Sequence, residues 1–254
     1  MPVHHFARDG LSLAFLDEGA GRPVLLIHGF ASNHGVNWVG TGWIKTLTGV
    51  GRRVIAIDNR GHGRSDAVYD PAAYTTDIMA ADALALLDHL GLPSAVVMGY
   101  SMGARISAFL ALAAPERVEG LVLSGLAENL IRGVGGGAAI AAALEATSLA
   151  EVTDPVARGF RVFADQTGSD RKALAACIKA SRQTLSEGEV ARISVPTLVV
   201  AGEDDDISGP PEPLADLIPD AEAVLLPGRD HMSAVGDRGH KEAVLAFIAS
   251  LDRR

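Results

Sequence analysis

Short runs rich in β-branched and aliphatic residues recur along this chain, at 24–27, 53–57, 95–98, 120–123, 195–201 and 223–226, most of them separated by segments of helical length. That alternation predicts a mostly parallel sheet with helices covering both faces. Ahead of it, the stretches 3–8 and 11–17 flank Asp9-Gly10, a strong signal for a tight hairpin, so the sheet is expected to begin with an antiparallel edge. Helices are expected near 44–48, 77–90, 102–113, 211–218 and 241–251.

Between 126 and 193 the β alternation stops. Val156, Phe160 and Phe163 recur at helical spacing, as do Leu174, Ile178, Ser181 and Leu185, which marks two amphipathic helices. The segment reads as a helical cap inserted into an α/β core, with 1–125 and 194–254 forming the core and 126–193 the cap. The stripe of Val156, Phe160 and Phe163 is expected to face core and pocket, because two exposed phenyl rings side by side are costly in water. The glycine cluster GVGGGA at 133–138 neither follows a strand directly nor opens a Lys-Ser/Thr motif, so it reads as a hinge or a helix start and not as a phosphate loop. No internal repeat is visible.

Composition narrows the function classes. With 254 residues and 48% hydrophobic content, the chain can bury a sizeable core. Its 22 Lys and Arg against 31 Asp and Glu give a net charge of −9, and no basic run offsets it, which argues against a nucleic-acid ligand. A single cysteine, Cys177, permits neither an internal disulfide nor a cysteine-based zinc site and suits a reducing cytoplasm. The opening MPVHHFARDG lacks the layout of a signal peptide, and the weakly polar run 133–144 is too short to span a bilayer. A cytoplasmic protein without a membrane anchor is the expectation.

The chemistry concentrates in VVMGYSMGAR, 96–105, where a serine sits between glycines at a turn from strand directly into helix. The apex of such a turn takes strained backbone angles, and its neighbours at minus two and plus two must lack side chains. Gly99 and Gly103 supply that room around Ser101, which lifts the hydroxyl above the sheet beside the amino end of the following helix. That is the position of a nucleophile.

Along essentially its whole length the chain resembles proteins of the α/β-hydrolase fold. The matching stretches are LLIHGFASN (25–33), VIAIDNRGHGRSD (54–66), VVMGYSMGAR (96–105), TLVVAGEDDDI (197–207) and LLPGRDHM (225–232). A serine hydroxyl needs a base and the base an orienting acid, and in this family the chain order is serine, acid, histidine. Of eight histidines, His231 alone follows the last strand-like run in a loop that would hang over Ser101. His240, at the start of the final helix, reads as solvated, and His4, His5 and His89 as solvated or packed. The family pattern counted from Gly202 implies Asp205 as the acid among Asp204, Asp205 and Asp206, with Asp204 the nearer alternative and Glu128 a remote one. The neighbours of Asp205 would act as turn or capping residues.

The resemblance also implies an oxyanion hole of two backbone amides, at Phe30 and Met102. His28 then reads as a hydrogen-bonded structural residue. Turn architecture accounts for Asp58, Gly61 and Gly63, with Ser65 and Asp66 able to cap the next segment of chain. Asn33, His34 and Trp38 stand where they would line a pocket mouth, and packing explains Trp38 equally well. No metal-ligand set is visible, since His4-His5 lacks a third partner and 204–206 lacks the spacing of a calcium loop. The expectation is a cofactor-free serine hydrolase acting on a small or medium ester or lactone through an acyl-enzyme. Hydrolysis of a carbon-carbon bond in a diketone and cofactor-free perhydrolysis are related alternatives, and a ligand sensor with slow turnover is one of another class. Relatives acting on haloalkanes or epoxides carry aspartate where this chain has Ser101.

Overall fold

The structure, a computed structural model, describes residues 1–253. Asp9 and Gly10 both take positive φ, 50° and 79°, as a two-residue turn matched to the right-handed twist of a hairpin requires. The turn joins β1 (His4–Arg8) to β2 (Leu11–Glu18) in antiparallel register. β2 also runs antiparallel to β4 (Arg53–Ile57). Beyond β4 the pairing is parallel, through β3 (Pro23–Ile27), β5 (Ala95–Tyr100), β6 (Val118–Ser124), β7 (Thr197–Gly202) and β8 (Ala221–Leu226). The order across the sheet is β1-β2-β4-β3-β5-β6-β7-β8.

Period two explains how one apolar run serves two cores. Leu25 and Ile27, with Val97, Leu121 and Leu123, point into one core. Val24, Leu26, Val96, Met98 and Val122 point into the other. The second core is closed by α1 (Trp43–Thr48) with Trp43 and Leu47, and by α10 (Arg238–Leu251) with Val244, Phe247, Ile248 and Leu251. On the opposite face α2 (Thr76–His89) contributes Leu86 and Leu87, and α3 (Met102–Ala113) Ile106 and Leu110. Each such side chain, fully buried, contributes roughly 1.5–3 kcal/mol.

Five α-helices occupy the stretch between β6 and β7: α4 (Asn129–Arg132), α5 (Gly137–Glu145), α6 (Pro155–Gln166), α7 (Arg171–Ala180) and α8 (Glu187–Val190). The glycine cluster begins α5, with Gly136 in the left-handed region just before it. Asp154 caps α6 by accepting from the Ala157 amide, and Asp170 caps α7 by accepting from Lys172 and Ala173. α7 stops at Ala180, so Leu185 lies beyond it, buried, with its amide donating to the Leu130 carbonyl.

The buried face of α6 is Ala157, Arg161 and Ala164, and the stripe of Val156, Phe160 and Phe163 is offset from it by one position. Small alanines let α6 approach its neighbours, and Arg161 donates to the Ala143 and Ala146 carbonyls, each at 2.9 Å. Phe160 and Phe163 are half-buried, packing against the core while lining the cavity, whereas Val156 is 59% exposed and lines the cavity alone. The short α9 (Glu212–Ala215) ends before the expected 218, and the chain continues in tighter turns, with the Leu217 and Ile218 amides donating to the Leu214 and Ala215 carbonyls, up to Pro219, which disfavours helical backbone at Ile218. Among the described residues no helix is long and apolar enough to cross a membrane.

Candidate active site

The parallel strands end on one side of the sheet, and the loops beyond them bring the candidate residues together. Ser101, between β5 and α3, has φ 56° and ψ −115°. A Cβ on Gly99 would lie 2.1 Å from the Gly103 carbonyl oxygen, and one on Gly103 would lie 1.9 Å from that of Ile27. Glycine at both positions is therefore a steric requirement of the elbow. The Ser101 amide donates to the Ser124 carbonyl of the next strand at 2.8 Å.

His231 follows β8, and its Nε2 lies 3.0 Å from Ser101 Oγ. Its Nδ1 faces Asp205, 2.8 Å from Oδ2 and 3.0 Å from Oδ1. A carboxylate can only accept, so Nδ1 carries the proton and Nε2 presents its lone pair to the serine hydroxyl. Asp205 is 4% exposed and accepts from the Ile207 and Ser208 amides, each at 3.0 Å. Asp204 and Asp206 are exposed, and Glu128 pairs with Arg132 at 2.6 Å, so neither alternative acid reaches His231. The His231 loop approaches β7 closely: a Cβ on Gly202 would sit 2.1 Å from the Arg229 carbonyl oxygen, and the Asp204 amide donates to that oxygen at 3.0 Å. Tyr100, which the sequence did not single out, donates its hydroxyl to the His231 carbonyl at 2.6 Å and packs its ring 5.4 Å from the imidazole.

Phe30 and Met102 line the cavity beside Ser101. Met102 opens α3, so its amide has no acceptor within the helix. The loop after β3 lies against the elbow, where a Cβ on Gly29 would be 3.3 Å from that of Ser101. Asn37 anchors this loop by accepting from the Gly29 amide at 3.1 Å, another role that the sequence did not reveal. The cavity measures about 380 Å³ and is walled mainly by Leu126, Ile140, Phe160, Phe163, Ile178 and Val235, with Arg105 and Arg182 among its few polar residues.

Two other histidines, His28 and His240, are held as neutral structural groups. His28 is fully buried, with Nδ1 on the Gly29 carbonyl at 2.8 Å and Nε2 accepting from the Asn59 amide at 3.0 Å, and burial lowers its pKa. His240 is not solvated as expected. It is fully buried, with Nδ1 3.0 Å from the Ala234 carbonyl and Nε2 2.8 Å from Ser124 Oγ, and burial pushes its pKa down to about 4. The cause is the start of α10 at Arg238, capped by Asp237, which turns His240 inward.

Asp58 accepts from the His34 and Arg64 amides at 2.7 and 2.9 Å, which makes its loop a turn scaffold. Ser65 and Asp66 cap no helix. They accept instead from the Ala14 and Ser12 amides of β2. Trp38 is fully buried in the core and does not line the cavity. Cys177 is buried against Met102, 3.8 Å between sulfurs, and burial pushes its thiol up to about 12, so it is no competing nucleophile. No group of three or more His, Cys, Asp or Glu among the described residues could hold a metal ion.

A family model described as the alpha/beta hydrolase fold matches residues 22–135. A solved hydrolase from Pseudomonas aeruginosa PA01 superposes with a TM-score of 0.81 at 31% identity, covering 97% of this chain and 98% of the other. The chain belongs to the α/β-hydrolase fold family. The 3-oxoadipate enol-lactonase 2 of Acinetobacter baylyi is 29% identical over 235 residues, 82% of this chain and 83% of the relative. An epoxide hydrolase of Caballeronia sordidicola is 36% identical over 114 residues, 45% of this chain. The match spans about a third of the length of that relative, 34%.

Proposed function

We propose that this chain is a hydrolase that cleaves carboxylic esters or lactones of small to medium size through an acyl-enzyme on Ser101. The observation that carries the reading is the continuous relay from Asp205 through His231 to Ser101 Oγ, with contacts of 2.8 and 3.0 Å, at the wall of an apolar cavity. Ser101 Oγ attacks the acyl carbon as its proton passes to His231 Nε2, and the oxyanion is held by the Phe30 and Met102 amides. The imidazolium, steadied by Asp205, returns the proton to the departing alkoxide, and water then repeats the sequence in reverse to release the acid. A neutral hydroxyl nucleophile beside amide donors suits an acyl carbonyl. Similarity to a lactonase over most of the chain favours keeping cyclic esters in the substrate class.

The test is a panel of phenyl esters of increasing acyl length together with simple lactones, comparing wild type with Ser101→Ala. Hydrolysis is expected to fall on the order of 10⁴- to 10⁶-fold in the variant, with an unchanged circular dichroism spectrum. Residual activity near wild type would sink the mechanism. Many turnovers by the isolated protein would separate an enzyme from a ligand sensor, which turns its ligand over slowly.

A further inference from the structure

Among the described residues four arginines have buried side chains: Arg52, Arg60, Arg105 and Arg161. Three are neutralised. Asp82 clamps Arg60 through two contacts of 2.7 Å, Asp165 pairs with Arg161 at 2.9 Å, and Asp252 pairs with Arg52. Arg105, 3% exposed, has no acidic oxygen within 4.0 Å among the described residues. Neither does Arg182, the half-buried arginine after α7. Both line the cavity that contains Ser101, and Arg105 follows Ser101 by one turn of α3.

Each guanidinium uses only Nη1 on the protein. Arg105 donates to the Gln183 carbonyl, and Arg182 to the carbonyls of Val134, at 2.6 Å, and Gly135. Those bonds tie the helical segment together, and they leave Nε and Nη2 of both residues without an acceptor among the described residues. Burial lowers the pKa of Arg105 to about 10, with Arg182 adding to the effect, and lowers that of Arg182 as well. A pair of like charges in an apolar cavity is unfavourable until an anion joins it. The net charge of −9 gives no long-range attraction for anions, so selection for one must be local.

We infer that Arg105 and Arg182 form an anion subsite, and that the acyl compound presented to Ser101 bears a carboxylate on the chain remote from the scissile carbonyl. The planar forks of two arginines match the two oxygens of a carboxylate. This deepens the acyl-hydrolase reading and rests on it for the identity of the reacting bond.

The experiment compares matched phenyl esters, the neutral ester of hexanoic acid and the mono-ester of hexanedioic acid, in wild type, Arg182→Gln and Arg105→Lys. Wild type is expected to favour the anionic ester. In Arg182→Gln the ratio of anionic to neutral kcat/KM should fall about 10- to 100-fold, the factor carried by one hydrogen bond to a charged group, and mostly through KM. Arg105→Lys keeps the charge, guards against loss of folding and should retain part of the preference. Where the esters are turned over, this ratio decides, and equal ratios in all three proteins overturn the subsite.

Where neither ester is turned over, the hydrolase reading fails, and calorimetry on the Ser101→Ala protein decides the subsite. Linear dicarboxylates of five to eight carbons should then bind more tightly than monocarboxylates of equal length, and Arg182→Gln should remove the difference. No difference would overturn the subsite.

Discussion

The strand ends and the helices that face them across the cavity are held by different forces. At the strand ends polar contacts fix Asp205 and His231 from more than one direction. Asp205 is bound by two amides as well as by His231, and His231 by Asp205 and, through its carbonyl, by Tyr100. Across the cavity, α5, α6 and α7 present Ile140, Phe160, Phe163 and Ile178, held by packing such as the 5.8 Å ring contact between Phe160 and Phe30. A satisfied hydrogen-bond network admits one geometry, whereas an apolar wall tolerates changes of similar volume. In the proposed mechanism, bond-making and the apolar part of substrate choice thus lie on parts of the molecule that can be altered separately.

The largest effect should come from breaking the polar side. Asp205→Asn keeps the shape of the acid and loses the acceptor that fixes the His231 tautomer, so kcat should drop on the order of 10⁴-fold. Asp204→Asn and Asp206→Asn change exposed groups and should leave kcat near wild type. Steady-state kinetics on one ester check this, and equal losses in all three variants would contradict the geometry at His231.

The apolar side should respond in selectivity. Phe160→Ala or Phe163→Ala enlarges the wall, and the ratio of kcat/KM for an eight-carbon over a two-carbon acyl ester should shift by about tenfold. A constant ratio with a constant Tm would mean that the stripe of α6 touches neither substrate nor core.

The smallest expected effect sharpens the comparison through stability. His62 and His240 are buried as neutral bases, with pKa values pushed down to about 3 and about 4. In the unfolded chain an imidazole titrates near ~6.5. Between that pH and the folded values the unfolded chain holds protons that the folded one lacks, so stability is lost as pH falls. The slope is up to about 1.4 kcal/mol per pH unit for each histidine. His240→Gln should flatten the decline of Tm below pH ~6.5 by about 2–4 °C per unit. Identical slopes in wild type and variant would show that His240 does not titrate on unfolding.

How legible each feature is in the sequence depends on how local its cause is. The eight strands are readable to within one or two residues, the inner five because strands covered on both faces must be apolar throughout and the opening pair because Asp9-Gly10 marks their turn. The elbow is readable because its serine and both glycines fall within five residues between a strand run and a helix, although only Gly99 is demanded by a nearby residue and Gly103 answers to Ile27 of β3. His240 reads as solvated because Arg238, Gly239 and Lys241 surround it in sequence. It nonetheless shares the helical period of Val244, Phe247, Ile248 and Leu251, and tracing that stripe back one turn encloses it. Arg161 hides the inner face of α6 in the same way, since a charged residue at its centre disguises the alanine stripe. Tyr100 and His231 meet across 131 residues, and Arg105 reaches Gln183 across 78, so neither contact leaves a local pattern.

The helices over the cavity lie in one excursion between two neighbouring strands of the sheet, from Ser124 at the end of β6 to Thr197 at the start of β7. β6 and β7 are neighbours, Ser124 pairs with Val200, and the Gly125 amide donates to the Val200 carbonyl at 2.9 Å. For an excursion whose ends are fixed by the pairing of β6 with β7, closure entropy grows only logarithmically with length, by about 0.6 kcal/mol for each doubling. Natural selection can therefore lengthen, trim or exchange this excursion while the elbow on β5 and the loops after β7 and β8 keep their register. A lineage built on this sheet can change what it accepts without rebuilding how it reacts.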